Sequence, residues 1–280
     1  TSNLITEEFE KFGLEYSFTK DSKPESFEAE IKENTKVIYI ETPSNPLLTV
    51  TDIKAIAEIA KKHNLVSMID NTFASPVNQN PIDFGIDIVL HSATKYMGGH
   101  SDILAGTAIA SEEHIDKIFQ LAKNFGGSLS DFTVWMLERS LKTMGLRVKA
   151  QNENALELAR FLEKHEDISR VYYPGLESHP DHELAKSQMK GFGGMMSFEL
   201  REGLDFDLFQ KKLKLIKSSM SLAGVESTIL SPSKTSHGLL SPEEREAQGI
   251  KDGLMRFSVG IEEKEDLMED LEQALKGVRG

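Results

Sequence analysis

The chain has 280 residues, 39% of them hydrophobic and 28% charged, enough to bury one large core or two modest ones. Its 32 Lys and Arg against 45 Asp and Glu give a formal net charge of −13, which repels nucleic-acid phosphate and anionic lipid, so any anionic ligand must be held by local donors. The absence of cysteine excludes disulfides, thiolate zinc sites and a cysteine nucleophile within these residues and suits a reducing cytoplasm.

No apolar run approaches the ~20 residues of a membrane span, so a soluble protein is expected, with neither nucleic acid nor membrane as partner. The residues from Thr1 to Glu8 lack the basic start and apolar middle of a signal peptide, and without an initiator Met, Thr1 need not be the natural start. Apolar runs at 36–41 (KVIYIE), 65–70 (LVSMID) and 86–90 (IDIVL) predict strands. Between the first two, TDIKAIAEIAKKHN places Ile53, Ile56, Ala57, Ile59 and Ala60 at helical spacing, with Thr51 and Asp52 able to cap its start. This is a βαβ unit, and strands apolar on both faces predict a buried, mostly parallel sheet. A further strand is expected in ILAGTAIA at 103–110, ahead of a helix beginning near Glu112. Ligands of such sheets gather beyond the carboxyl ends of the strands, here the residues after Ile40, Ile69 and Leu90.

From Asp131 to Lys164 the pattern is helical, with Trp135, Leu137, Leu141, Leu146, Leu156, Leu158 and Phe161 among its apolar positions. That length exceeds an ordinary helix and predicts a break near Gly145, with Trp135 in the core. Beyond it, ISRVYYPG, GMMSFEL and LMRFSVGI read as alternating strands, interleaved with helices near 182–190, 205–216 and 263–276. The expected fold class is α/β: a large domain over 1–147 on a mostly parallel sheet, then a smaller α+β domain over 148–280 with an antiparallel sheet.

Three strand ends carry residues fit for chemistry. His91-Ser92-Ala93-Thr94-Lys95-Tyr96 follows a strand and leads into Gly98-Gly99-His100-Ser101-Asp102. Two hydroxyls two residues apart can reach one phosphate, and glycines admit close backbone approach; the alternative is a plain strand-to-loop turn. It is not a Walker motif. Asp70, ahead of Asn71-Thr72, is either a turn-forming acid or a carboxylate aimed at the ligand edge. Glu41-Thr42-Pro43-Ser44-Asn45-Pro46 ends the first strand, and Asn45 can present an amide to the same crevice. Arg256, in an otherwise apolar strand, needs an anion: a substrate carboxylate or an internal salt bridge. His179-Pro180-Asp181-His182-Glu183 lacks metal-site spacing and reads as a loop leading into a capped helix, and His100, Ser101 and Asp102 are too close in sequence to form a triad. His237 lies in SPSKTSHGLL, near which no role is assigned.

ETPSNP, IDNTF and HSATKYMGGHSD, in this order and spacing, resemble the cystathionine γ-synthase/γ-lyase family of fold-type-I pyridoxal 5'-phosphate (PLP) enzymes. The similarity continues through YPGLESHPDHELAKSQMKGFGGMMSFEL, SLAGVES and GLMRFSVGIE, essentially the whole chain. The resemblance implies that Lys95 binds PLP covalently and that Ser92 and Thr94 hold its phosphate. It likewise implies that Asp70 pairs with the pyridine nitrogen and Asn45 lies near the 3-oxygen, while Arg256 and Ser221 bind the substrate carboxylate. The implied reaction is PLP-dependent γ-elimination or γ-replacement on a sulfur amino acid or homoserine ester. The alternatives are cystathionine γ-synthase, acyl-homoserine sulfhydrylase or cystathionine β-lyase chemistry, or an inactive fragment with an assembly role. The partner would be a small amino-acid substrate, in a homo-oligomer built as a dimer of dimers, in the cytoplasm.

Departures from the family pattern are informative. Its usual SLGG reads Ser221-Leu222-Ala223-Gly224 here, a mild change unless that backbone needs positive φ. Met220 stands where many family members that handle cystathionine carry a glutamate able to meet the distal ammonium; an apolar residue resembles methionine γ-lyases and β-lyases more. The family also has an N-terminal segment before the point where this sequence begins, which supplies a tyrosine that stacks on the cofactor, a phosphate loop and a Tyr-x-Arg arm that reaches the neighbouring subunit. Since a phosphate monoester carries about two negative charges, and Ser92 and Thr94 are neutral, these 280 residues are not expected to form a competent site alone.

Overall fold

Alternating isoleucine and valine, joined by a helix with a continuous apolar face, produce the expected βαβ unit. The computed structural model describes residues 1–235, 249–251 and 253–278. After a short helix α1 (Pro24–Ala29), β1 (Val37–Glu41) leads to α2 (Ile53–Lys62) and β2 (Val66–Asp70). The Asp52 carboxylate caps α2 by accepting from the Ala55 N–H at 2.9 Å. Ile53, Ile56 and Ala57 pack on Ile38, Ile40, Ile69 and Val89 of the sheet. One turn, α3 (Ser75–Asn78), then precedes β3 (Ile88–Ser92). This strand starts later and runs further than 86–90, because Asp87 is occupied in holding Ser67: its carboxylate accepts from the Ser67 N–H and hydroxyl at 2.8 and 2.7 Å.

β1, β2 and β3 are parallel, and β4 (Gly106–Ala110) closes the sheet antiparallel to β3 in the order β1-β2-β3-β4. β4 begins at Gly106 rather than Ile103 because Ala105 is drawn out to Thr94, whose backbone N–H donates to the Ala105 carbonyl. α4 (Glu112–Phe125) follows and buries none of its residues.

The expected break at Gly145 does not occur. α5 runs unbroken from Asp131 to Glu163, 33 residues. A glycine inside a helix costs only about 1 kcal/mol relative to alanine, and tertiary contacts on both sides of Gly145 outweigh that. Leu137 packs with Ala93, Met97 and Ile103, while Ala155, Leu158, Ala159 and Leu162 enter a second core around Tyr173, Phe198 and Phe257. Trp135 is not in the core either. It is 55% exposed and stacks on Phe132 at 6.0 Å between ring centroids, because no described element covers this part of α5.

The second sheet has the order β5-β6-β9-β8-β7, built from β5 (Ile168–Tyr172), β6 (Met195–Leu200), β7 (Lys217–Ser218), β8 (Thr228–Leu230) and β9 (Leu254–Ser258). Its pairings are antiparallel except β7 with β8. Every residue of β6 and β9 is buried. α6 (His182–Gln188) precedes β6; Asp181 does not cap it but accepts from the Val50 N–H at 2.9 Å, tying the two halves of the chain together. α7 (Phe206–Lys212) ends short of residue 216 because Asp270, on the C-terminal helix α8 (Lys264–Lys276), takes the N–H groups of Lys214, Leu215 and Ile216.

Candidate active site

Parallel pairing brings the carboxyl ends of β1, β2 and β3 to one edge of the first sheet. Glu41 is in register with Asp70, and Asp70 with Leu90, so His91 and Ser92 follow at the same edge. Asp70 is half-buried, and its carboxylate accepts from the Thr72 N–H at 3.0 Å. The Thr72 hydroxyl accepts in turn from the Ser92 N–H at 2.8 Å, which fixes Asp70 relative to the turn that follows β3. The Asp70 charge acts on its surroundings. Burial, and then Asp70, push the Glu41 carboxyl up to about 7, although that side chain still reaches solvent, which screens part of the repulsion. Burial pulls the His91 imidazole down to about 4 against the opposing effect of Asp70, so His91 is neutral at pH 7.

Beyond β3 the chain turns tightly. The Lys95 N–H donates to the Ser92 carbonyl at 3.0 Å, Gly98 to Ala93 at 2.7 Å and Gly99 to Lys95 at 2.6 Å. Lys95 is half-buried, and burial followed by the charge of Arg256 lowers the pKa of its amine. Two cations more than 150 residues apart in sequence are therefore close enough to repel one another.

Arg256 sits in the middle of β9, across from Ser197 and Leu230. It is 4% exposed, and burial pushes its guanidinium down to about 10. Its Nη2 donates to the Met220 carbonyl at 3.0 Å, and no carboxylate among the described residues pairs with it, so the internal salt bridge is not found. Ser197 donates from its hydroxyl to the Pro46 carbonyl at 2.7 Å, so the strand beside Arg256 also anchors the loop that carries Asn45. The Asn45 side-chain oxygen is buried without a hydrogen-bond partner.

The remaining predicted residues divide between the sheet edge and a cavity that Lys95, Asp70 and Arg256 do not line. Among the described residues nothing hydrogen-bonds the Ser92 hydroxyl. The Thr94 hydroxyl accepts from the Ala105 N–H at 3.0 Å and donates to the Ala105 carbonyl at 3.3 Å, so it must turn its proton to reach an anion. Thr94 and Ser221 line a cavity of about 440 Å³ together with Ser101, Asp102, Ile103, Leu104 and Thr133. The Met220 side chain is exposed, and the residue contributes its carbonyl to Arg256. Ala223 has φ +59°, so alanine occupies a left-handed position and the departure from SLGG is not mild. His237 lies outside the described residues.

This donor set suits PLP. A carboxylate, an amide whose oxygen has no partner, a serine hydroxyl and a lysine amine with a lowered pKa stand at one sheet edge, and a guanidinium with no acid partner among the described residues is near enough to act on that amine. Sequence reading missed two residues beside them, Arg147 and Gln151, which are buried on α5. Their only signal is a pair of polar residues four apart in line with Ala155, a spacing that reads equally well as a solvated face.

The sequence model for the Cys/Met metabolism PLP-dependent enzymes matches residues 1–276. Cystathionine gamma-lyase of Bacillus subtilis (strain 168) is 46% identical over 279 residues, an alignment covering 99% of this chain and 74% of that protein. Cystathionine beta-lyase of Lactococcus lactis subsp. cremoris (strain MG1363) is 47% identical, with 99% and 73% covered. The L-methionine gamma-lyase of Fusobacterium nucleatum subsp. polymorphum is 42% identical, with 99% and 71% covered. Among solved structures, cystathionine gamma-lyase from Lactobacillus plantarum complexed with L-serine superposes with a TM-score of 0.95 at 42% identity, covering 99% of this chain and 73% of that one.

Proposed function

Because the chain belongs to the Cys/Met metabolism PLP-dependent enzymes, we propose that it carries out γ-elimination or γ-replacement on a sulfur amino acid or homoserine ester. The observation that carries this reading is the pairing of Lys95 and Arg256. They come from opposite halves of the chain, both burial-depressed, and no acid among the described residues pairs with Arg256. An anionic substrate with a reactive Cα satisfies both.

When bound, PLP supplies an electron sink for the charge that develops at the substrate Cα. Lys95 would hold the cofactor, Asp70 would keep its ring nitrogen protonated, Asn45 would donate to its 3-oxygen, and Ser92 and Thr94 would hold its phosphate. Arg256 would take the substrate α-carboxylate through a planar pair of donors, with Ser221 beside it. The Lys95 amine, whose neutral form is favoured by burial and by Arg256, would take the proton from Cα, hand it on to the cofactor and, neutral again, take the proton from Cβ, so that the γ-substituent departs as thiolate or carboxylate. Met220 offers no charge to a distal ammonium, which supports methionine or an acyl-homoserine over cystathionine. The alternative is β-elimination from cystathionine.

We also take 1–147 and 148–280 as its two domains, and a cytoplasmic homotetramer as its working form. No helix among the described residues is long and apolar enough to cross a membrane. α4 and the start of α5 expose Phe119, Phe125, Phe132 and Trp135, an apolar face that a second copy would cover. The experiment is a substrate panel with PLP-saturated protein that measures 2-oxobutyrate, pyruvate and cystathionine separately. 2-Oxobutyrate or cystathionine as the main product supports the γ reading, pyruvate alone replaces it with β-elimination, and no product from any of these substrates rejects it.

A further inference from the structure

α5 is the one described helix that packs in both cores, and two of its buried polar side chains, one turn apart, face the two halves of the site. Arg147 is 6% exposed, and no carboxylate among the described residues pairs with it. Its guanidinium donates instead to the carbonyls of Tyr96 at 2.8 Å and Met97 at 3.2 Å, the two residues after Lys95, and to Ser140 at 2.9 Å on its own helix. Gly99 leaves room for it. A Cβ there would collide with the guanidinium, and φ at Gly99 is +72°. Gln151 is 1% exposed, and its amide donates to the Gly224 carbonyl at 2.8 Å and the Val259 carbonyl at 3.2 Å. Gly224 ends the segment that begins at Ser221, and Val259 follows β9, which carries Arg256.

Burying a guanidinium against neutral oxygens alone, here three carbonyls and the Thr143 hydroxyl, is unfavourable compared with an apolar side chain of similar volume. An apolar residue at 147 would fill the space on α5 but would leave the carbonyls of the Lys95 turn without donors. We propose that Arg147 and Gln151 are positioning residues that set the spacing between Lys95 and the carboxylate-binding segment, with α5 as the rigid spacer between them. This rests on the roles assigned above to Lys95 and Arg256. The two contacts differ in what they hold, so their loss should separate in kinetics. Arg147 holds the residue that moves protons, and Gln151 holds the groups that bind the substrate carboxylate.

The test uses full-length protein saturated with PLP, with Arg147→Met, Arg147→Lys, Gln151→Met and Gln151→Asn. For each, the readouts are kcat, KM, Tm and circular dichroism in the cofactor absorption band. Arg147→Met is expected to lower kcat at least ~10-fold with KM within about threefold and to weaken the cofactor-band dichroism, with part of each restored in Arg147→Lys. Gln151→Met is expected to raise KM about 10-fold with kcat within about threefold and the cofactor-band dichroism unchanged. If a methionine variant does not fold, the lysine or asparagine variant carries the same split at smaller size. Variants that lose only Tm, or that change kcat and KM in equal proportion, overturn the proposal. Borohydride labelling of wild-type protein is run in parallel: label away from Lys95 rejects the reading of the site itself, whereas label on Lys95 without the kinetic split rejects only the spacer.

Discussion

The side-chain oxygens of Ser101 and Ser221 lie 2.8 Å apart, joining the loop that follows Lys95 to the segment beside Arg256. Ser101 adopts a left-handed backbone, φ +56°, to reach that position, and the Val225 N–H donates to the Gly99 carbonyl at 2.9 Å next to it. Ser221 is therefore oriented by the other half of the chain. Ser101→Ala should leave the Ser221 hydroxyl free to rotate and raise KM about threefold to tenfold, the equivalent of one hydrogen bond of about 1 kcal/mol, with kcat little changed. Steady-state kinetics with methionine or an acyl-homoserine checks this; an unaltered KM would show that the contact is incidental.

Ala223 gives a stability prediction free of active-site chemistry. It holds φ +59° while fully buried, and its N–H donates to the Ser258 hydroxyl at 2.7 Å. A left-handed alanine is strained by about 1 kcal/mol relative to glycine, partly offset by the greater freedom of glycine in the unfolded chain. Ala223→Gly should raise Tm by one or a few degrees on the scale of ~2–4 °C per kcal/mol for a chain of this size. A lower Tm in differential scanning calorimetry contradicts the strain.

Arg256→Met is expected to trade binding for stability. The buried guanidinium has one carbonyl partner and no acid among the described residues, so removing its charge removes a desolvation penalty. The variant should melt no lower than wild type without substrate, bind substrate at least ~10-fold more weakly, and lose the stabilisation that an amino-acid ligand gives wild type. Melting curves with and without ligand decide it, and a strongly destabilised variant would mean that Arg256 is chiefly structural.

The acid side of the stability profile should depend on His91. Its folded pKa of about 4 lies below the ordinary histidine value, so between pH 6.5 and 4 the unfolded chain takes up a proton that the folded chain refuses. The contribution is complete above pH 6.5 and is lost as pH falls, with a slope approaching about 1.4 kcal/mol per unit. Glu41 runs the opposite way. Its raised pKa, about 7, lets the folded chain keep a proton that the unfolded chain has already released, and its contribution is lost as pH rises through 7. Compared with wild type, His91→Leu should lose less stability between pH 7 and pH 5, and Glu41→Gln should gain less. Urea denaturation at the two pH values measures both differences; parallel profiles would place neither group in the native titration.

Much of the fold could be read locally. Ile53, Ile56, Ala57 and Ala60 at helical spacing between two apolar runs specify a βαβ unit, and parallel strands deliver Glu41, Asp70 and Ser92 to one edge whatever follows. What escaped depends on distant partners. Gly145 looks like a stop in isolation, yet the cores on either side of it hold α5 straight. Trp135 resembles a core residue because an apolar stripe looks the same whether its own chain or another covers it. Arg147 and Gln151 resemble a solvated face until the Lys95 turn and Gly224 are placed against them. Ala223 shows no strain in sequence, because its φ is imposed by the segment it closes.

Lys95, at the carboxyl end of β3, is proposed to carry the cofactor. Its amine is half-buried with its pKa lowered by burial and by Arg256, which favours the neutral nucleophile that a carbonyl cofactor requires. Borohydride reduction of PLP-loaded protein followed by peptide mapping tests this directly. One pyridoxyl group per chain is expected, on Lys95, and none in Lys95→Ala; label on a different lysine, or undiminished label in that variant, contradicts the assignment of Lys95.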